Sequence, residues 1–149
     1  MEKRVNIQTL EPQAYKAMLG LEGYLSTIAI SKTLKELIKI RSSQLNNCAF
    51  CIHMHTKDAL KYGESQQRLF ILSAWREASD LFTAQEKVAL EMTEEITLIH
   101  QQGLTTVTYQ KALTVFSTHE IAQLIMAIVT INSWNRIAVS THLPISLEE

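Results

Sequence analysis

Thr33-Leu34-Lys35-Glu36-Leu37-Ile38-Lys39-Ile40-Arg41-Ser42-Ser43-Gln44-Leu45-Asn46-Asn47-Cys48-Ala49-Phe50-Cys51-Ile52-His53-Met54-His55 carries two helix signals in succession. Thr33 followed by Glu36 has the form of a capping box, in which a hydroxyl and a carboxylate satisfy orphan backbone donors. Leu34, Leu37, Ile38, Arg41 and Leu45 then share one face at helical spacing. Arg41, on an otherwise apolar stripe, calls for an acidic partner. Asn46-Asn47 breaks the run, and a second helix starts around Cys48 and ends near Tyr62-Gly63, a good C-terminal stop.

Working outward, the same period recurs. The first ten residues read as an extended lead, and Pro12 suits the first turn of a helix through Ala14, Tyr15, Met18, Leu19, Leu21 and Leu25. Glu64 to Trp75 reads as a helix through Leu69, Phe70 and Leu72. Thr83 with Glu86 is another capping box, opening a helix through Val88, Leu90, Met92, Ile96 and Ile99 that stops near Gly103. A shorter helix starts at Thr105 or Thr106 and takes in Tyr109, Leu113 and Phe116. Ser117 with Glu120 is the third box, and its helix runs to about Val139. No stretch alternates over strand length, and only four Gly and two Pro punctuate 149 residues. The fold class is all-α, a bundle of about seven helices, in one domain spanning 1–149 with its motif core at about 33–102.

Composition narrows the function. A net charge of −1, from 14 Lys+Arg against 15 Asp+Glu, offers no phosphate-tracking surface, so a nucleic-acid partner is not expected. The longest apolar stretch, Ile121 to Ile131, is interrupted by Gln123 and Thr130 and is far short of the ~20 residues a membrane span needs. The start, Met1 to Asn6, is polar and has no basic-then-apolar leader. These observations point to the cytoplasm, where two close cysteines are redox-active or metal-binding more often than structural. Ile121, Leu124, Ile125, Met126, Ile128, Val129, Ile131 and Trp134 cover most of the last helix's circumference, which calls for cover from a second subunit. A homo-oligomer is expected.

The densest chemistry is Cys48-Ala49-Phe50-Cys51-Ile52-His53-Met54-His55. At about 100° per residue, Cys48, Cys51 and His55 form one stripe roughly 60° wide, and His53 points elsewhere. Cys51 and His55 are also an i, i+4 pair. The helix N-terminus favours a thiolate at Cys48, whereas a neighbouring imidazole favours Cys51. A C-x-x-C at a helix start can close into a disulfide, so one sulfur can attack and the other resolve a sulfenic acid. Two other readings stand beside this one. The cysteines could be small core residues, or Cys48, Cys51 and His55 could hold zinc with Glu36 or His53 as fourth ligand. Structural zinc sites usually draw two ligands from a second segment, and no second cysteine pair exists; His100, His119 and His142 stand alone.

The segment from Glu36 to Gly63, with Arg68-Leu69, Ala74-Trp75-Arg76-Glu77 and Ile131-Asn132-Ser133-Trp134-Asn135-Arg136, resembles the carboxymuconolactone decarboxylase superfamily. Within it the likeness is to the AhpD-like alkylhydroperoxidase branch, which carries C-x-x-C. The resemblance implies an all-helical oligomer, a trimer or hexamer, that reduces hydroperoxides. It needs no bound cofactor or metal beyond a redox-active Cys48–Cys51 disulfide recharged by an external dithiol donor. It assigns the attacking thiol to Cys51, the resolving thiol to Cys48, the base to His55, and a relay carboxylate to Glu36 on the preceding helix. Phe50 stands where the best-known peroxidase members carry a histidine, so a relay through that imidazole is absent. Trp134 and Asn135 read as core packing before pocket lining. The superfamily's lactone decarboxylases lack the cysteine pair. A redox-sensing or metal-binding oligomer without turnover is the alternative outside enzymes.

Overall fold

α3 (Lys32–Leu45) is the central helix, and the helices Ala49–Lys61, Ala84–Thr97 and Thr118–Thr141 pack against it. The computed structural model describes residues 4–145, apart from the side chain of Ser79. The polar start at Met1 to Lys3 lies outside the described residues. α1 (Ile7–Leu10) and α2 (Pro12–Thr27) precede α3; α4 (Ala49–Lys61), α5 (Gln66–Ile71), α6 (Ala84–Thr97), α7 (Thr106–Val115) and α8 (Thr118–Thr141) follow it. Two 3₁₀ helices, Leu72–Glu77 and Ser79–Leu81, join α5 to α6. Among the described residues there is no strand, as the scarcity of turn residues predicts.

α3 belongs to two cores because its apolar residues do not all face one way. Leu34 and Ile38 pack with Met92, Leu124 and Ile128, between α6 and α8. Leu37 and Ile40 pack with Leu72, Trp75, Phe82 and Leu90 on the other side. Leu37, Ile38 and Ile40 have no exposed surface. Burying one such side chain contributes roughly 1.5–3 kcal/mol, so this short run anchors both halves of the bundle.

The helix ends follow the sequence with four corrections, the first being that α6 ends at Thr97, so Ile99 and Gly103 lie beyond it. Thr83–Glu86 and Ser117–Glu120 are capping boxes at the starts of α6 and α8, and Thr105 caps α7. α4 closes at Tyr62, and Gly63 adopts φ +92°, a left-handed conformation that a Cβ would strain. The expected box at Thr33–Glu36 does not form. Ser31 caps α3 instead, its Oγ accepting from Leu34 N at 3.2 Å, which leaves the Glu36 carboxylate free for the interior. The lead is not wholly extended, since Asn6 caps the single turn of α1, a length too short to show a period. The expected Glu64–Trp75 helix is two pieces: Ser65 caps α5, and the chain tightens to 3₁₀ geometry from Leu72, with Ala74 off helical angles.

α8 is buried through Ile121, Leu124, Ala127, Ile128, Ile131, Asn135 and Ala138 by the chain's own helices, chiefly α2, α3, α4 and α6. Much of the cover that its apolar circumference demands is therefore intramolecular, while Val129 and Val139 remain exposed. Among the described residues no helix is long and apolar enough to cross a membrane.

Arg41 finds its acid on α6. Arg41 Nε donates to Glu94 Oε1 at 2.8 Å, Trp75 Nε1 donates to the same oxygen at 2.8 Å, and Arg76 Nη2 donates to Oε2 at 2.6 Å. Burial pushes the Glu94 carboxyl up, but the bonds from Trp75, Arg76 and Arg41 outweigh it and hold it below the ordinary 4.5. A carboxyl depressed in the folded state stabilises the fold above its unfolded value, and that stability is lost as pH falls through the folded value. Glu94→Gln is expected to lower the unfolding free energy at pH 7 by about 2–4 kcal/mol in urea denaturation. Below pH 4.5 the difference between wild type and variant should shrink. A constant difference down to pH 2 would refute the assignment.

Candidate active site

The turn between α3 and α4 brings the predicted residues together. Asn47 takes a left-handed conformation, φ 53°, which an Asn tolerates better than most residues and which reverses the chain in two residues. Cys48 N then donates to Ser43 O at 2.9 Å, tying the start of α4 to the last turn of α3. Cys48 is the N-cap of α4, and its Sγ accepts from Cys51 N at 3.4 Å. Cys48 and Cys51 are joined as a disulfide with Cα atoms 5.4 Å apart. They are only 1% and 2% exposed and pack with Ala138 of α8 and the half-buried Phe50. The core-cysteine reading and the redox reading therefore share one location: the sulfurs are buried, and they are bonded.

One turn further along α4, His55 is buried, and its Nδ1 lies 2.8 Å from Glu36 Oε2. A carboxylate can only accept, so Nδ1 carries the proton in this bond and the lone pair of the neutral ring is on Nε2. His53, two residues earlier, is half-buried and off the stripe. Glu36 is buried as well, and its other oxygen, Oε1, lies 3.7 Å from Lys39 Nζ. Asp58, at the end of the next turn, brings a carboxylate oxygen into a group with Glu36 and His55 whose polar atoms lie within 4.8 Å of one another. Those atoms already have partners: Glu36 has His55 and Lys39, and Asp58 accepts from Lys61 at 2.9 Å. The group is a hydrogen-bonded charge cluster with two cations beside it, and it contains no sulfur.

A network of buried amides holds the turn, and sequence reading overlooks it. Asn46 Nδ2 donates to Asn132 Oδ1 and Asn135 Oδ1, each at 2.9 Å. Asn135 Nδ2 donates to Ser43 Oγ at 2.9 Å, and Ser43 Oγ donates to Lys39 O at 2.7 Å. Asn132 Nδ2 reaches Thr97 Oγ1 at 3.0 Å, and Thr97 pairs with Ser42 at 2.8 Å. α3, α6 and α8 are thus pinned to one another directly behind the cysteines. The sequence does hold a signal: Asn132 and Asn135 recur at i, i+3 on a mainly apolar helix, where an amide needs a partner.

A cavity of about 680 Å³, mostly apolar, is lined by Ala49 of α4, Tyr15 of α2, Trp134 and Ile137 of α8, and the chain's two ends at residues 4–8 and 141–145; it reaches the cysteine turn at Ala49, and neither cysteine lines it. Trp134 meets Tyr15 edge to face, ring centroids 5.4 Å apart. Trp134 is therefore pocket wall, whereas Asn135 belongs to the network. The volume falls in the range of small-molecule sites, roughly 300–1,000 Å³.

A helical bundle that presents a C-x-x-C pair at a helix start, backed by a buried Glu–His pair, is an AhpD-like dithiol protein. The chain belongs to the carboxymuconolactone decarboxylase family, whose model matches residues 12–95. It is 42% identical over 140 residues to the uncharacterized protein YdfG of Bacillus subtilis (strain 168), covering 94% of this chain and 95% of that one. A solved structure from Agrobacterium tumefaciens superposes with a TM-score of 0.94 at 35% identity, covering 99% of this chain and 100% of that one. That protein is of unknown function and is classed with the antioxidant defence protein AhpD. The debrominase Bmp8 shares the fold at 18% identity, with a TM-score of 0.79 over 91% of this chain and 72% of its own.

Asn135→Ala should leave Asn46 and Ser43 each short of a buried partner. The expected cost is about 1–3 kcal/mol in chemical denaturation, with faster amide exchange at Cys48 and Ala49 than in wild type. Unchanged exchange there would mean that the network does not hold the turn.

Proposed function

We propose that the chain is a thiol peroxidase that reduces organic hydroperoxides. The observation that carries this reading is a closed Cys48–Cys51 pair at the start of α4, one turn from a His55 already bonded to a buried Glu36. In the reduced protein the Cys51 thiolate attacks the distal oxygen of ROOH. An S–O bond forms, the O–O bond breaks, and the alkoxide leaves and takes a proton to become the alcohol. The Cys48 thiolate then attacks the sulfenic sulfur, hydroxide leaves as water, and the disulfide closes. One hydroperoxide and two thiols become one alcohol, one water and one disulfide. An external dithiol exchanges with that disulfide and restores both thiols.

In this cycle His55 Nε2 is the base that takes the Cys51 proton, and Glu36 orients the ring and stabilises its charged form. The dipole of α4 favours negative charge at Cys48, the cap, and so helps the resolving thiol and the leaving thiolate during recharging. Phe50 leaves His55 as the imidazole of the relay, and the cavity wall of Tyr15 and Trp134 suits an apolar R group. The working form is a cytoplasmic homo-oligomer, a trimer or hexamer, with the exposed Val129 and Val139 available for subunit contact. The fold it shares with a debrominase supports a second reading, in which the same dithiol reduces another electrophile in the same cavity.

The test uses the reduced protein and cumene hydroperoxide. Two titratable thiols should disappear per peroxide consumed, with mass mapping to a Cys48–Cys51 link. Cys51→Ser should abolish sulfenic acid formation, and Cys48→Ser should let sulfenic acid accumulate at Cys51. The reverse pattern would exchange the two roles. Thiols inert to hydroperoxide would reject the reading.

A further inference from the structure

Lys39 has no part in the chemistry above, yet it is a lysine only 9% exposed in the middle of the central helix. Burying an ammonium costs several kcal/mol unless opposite charge surrounds it. Its Nζ lies 3.4 Å from Glu22 Oε2 on α2 and 3.7 Å from Glu36 Oε1 one turn back on α3. Its carbonyl accepts from Ser43 Oγ, the terminal link of the amide network behind the cysteines. The residue is held at its backbone by the network and at its tip by two carboxylates.

The charges around His55 show why a cation is needed. The ring faces two carboxylates, Glu36 bonded at 2.8 Å and Asp58 in the same group of polar atoms within 4.8 Å. Two anions beside an imidazole attract a proton to it, and an imidazole that already holds both protons cannot act as a base. Lys61 answers Asp58 from a position with no burial, so water screens it. Lys35, one turn before Lys39, is a farther cation whose ammonium is bonded to Leu25 O at 2.7 Å. Lys39 is buried against the carboxylate that touches the ring, and low solvent access makes its charge act more strongly there.

We propose that Lys39 is a positioning residue for the Glu36–His55 pair. Its ammonium holds Glu36 Oε1, which turns Oε2 onto His55 Nδ1, and it offsets the two carboxylates so that the resting ring keeps a lone pair on Nε2. Glu22 sets how much of that charge Glu36 receives, because it competes for the same ammonium at a more exposed position. The proposal rests on the peroxidase reading only for what the relay serves.

The experiment follows the His55 ring nitrogens by ¹⁵N–¹H correlation across pH 4.5–9 in the stable disulfide form, without peroxide. In wild type the neutral ring should carry its proton on Nδ1. Lys39→Met should raise the pH at which the ring gains its second proton by about one unit and weaken the Nδ1–H preference. Lys39→Arg should restore both. Glu22→Gln, at a partly exposed site, leaves Lys39 to Glu36 alone and should move the midpoint down; it also decides the matter if Lys39→Met does not fold. A midpoint that stays put in Lys39→Met, an equal rise in Lys39→Arg, or an upward or absent shift in Glu22→Gln would each overturn the role. Loss of hydroperoxide turnover in wild type with these shifts intact would reject the peroxidase reading and leave this one standing.

Discussion

A carboxylate removed from water has to find partners, and Glu36 finds them across the α3–α4 interface. Its bond to His55 lies between the helix that organises both hydrophobic cores and the helix that carries the cysteines. The bond therefore acts at two levels. It fixes the rotation of α4 about its axis, and it fixes which nitrogen of His55 carries a proton. The capping arrangement follows from the same need. A Glu36 spent on the backbone of its own helix end would leave His55 without an acceptor, and Ser31 takes the cap instead.

Around that bond the structure uses rigid polar contacts where a bundle of this size could use apolar ones. Ser42, Ser43, Asn46, Thr97, Asn132 and Asn135 satisfy one another in the interior. Hydrogen bonds specify direction in a way that apolar packing does not, and a C-x-x-C pair needs a defined N-terminus more than it needs extra stability. The left-handed Asn47 and the bond from Cys48 N to Ser43 O are the local consequence. They put the Cys48 sulfur at the cap, where the unpaired N–H groups of α4 converge.

Helix spacing already singles out Cys48, Cys51 and His55 as one stripe, because i, i+3 and i+7 positions share a face in any α-helix. The helix starts at Thr83, Thr105 and Ser117 are equally readable, because a side chain that caps three residues away needs no tertiary partner. Two readings failed for the converse reason. The Thr33–Glu36 box competes with a buried imidazole 19 residues on, which local sequence does not contain. The helix from Glu64 tightens into 3₁₀ geometry at Leu72, where Trp75 turns to reach Glu94 on α6.

What the sequence alone determined was the helical class, most helix ends and the stripe of Cys48, Cys51 and His55, since each depends on periodicity or on contacts within a few residues. Only the tertiary structure decided that Glu36 faces His55, that Lys39 lies between Glu22 and Glu36, and that Trp134 walls a cavity. Those pairings join residues on different helices. Their geometry depends on how the helices cross and rotate, and that is set by packing and buried charge, not by spacing along the chain.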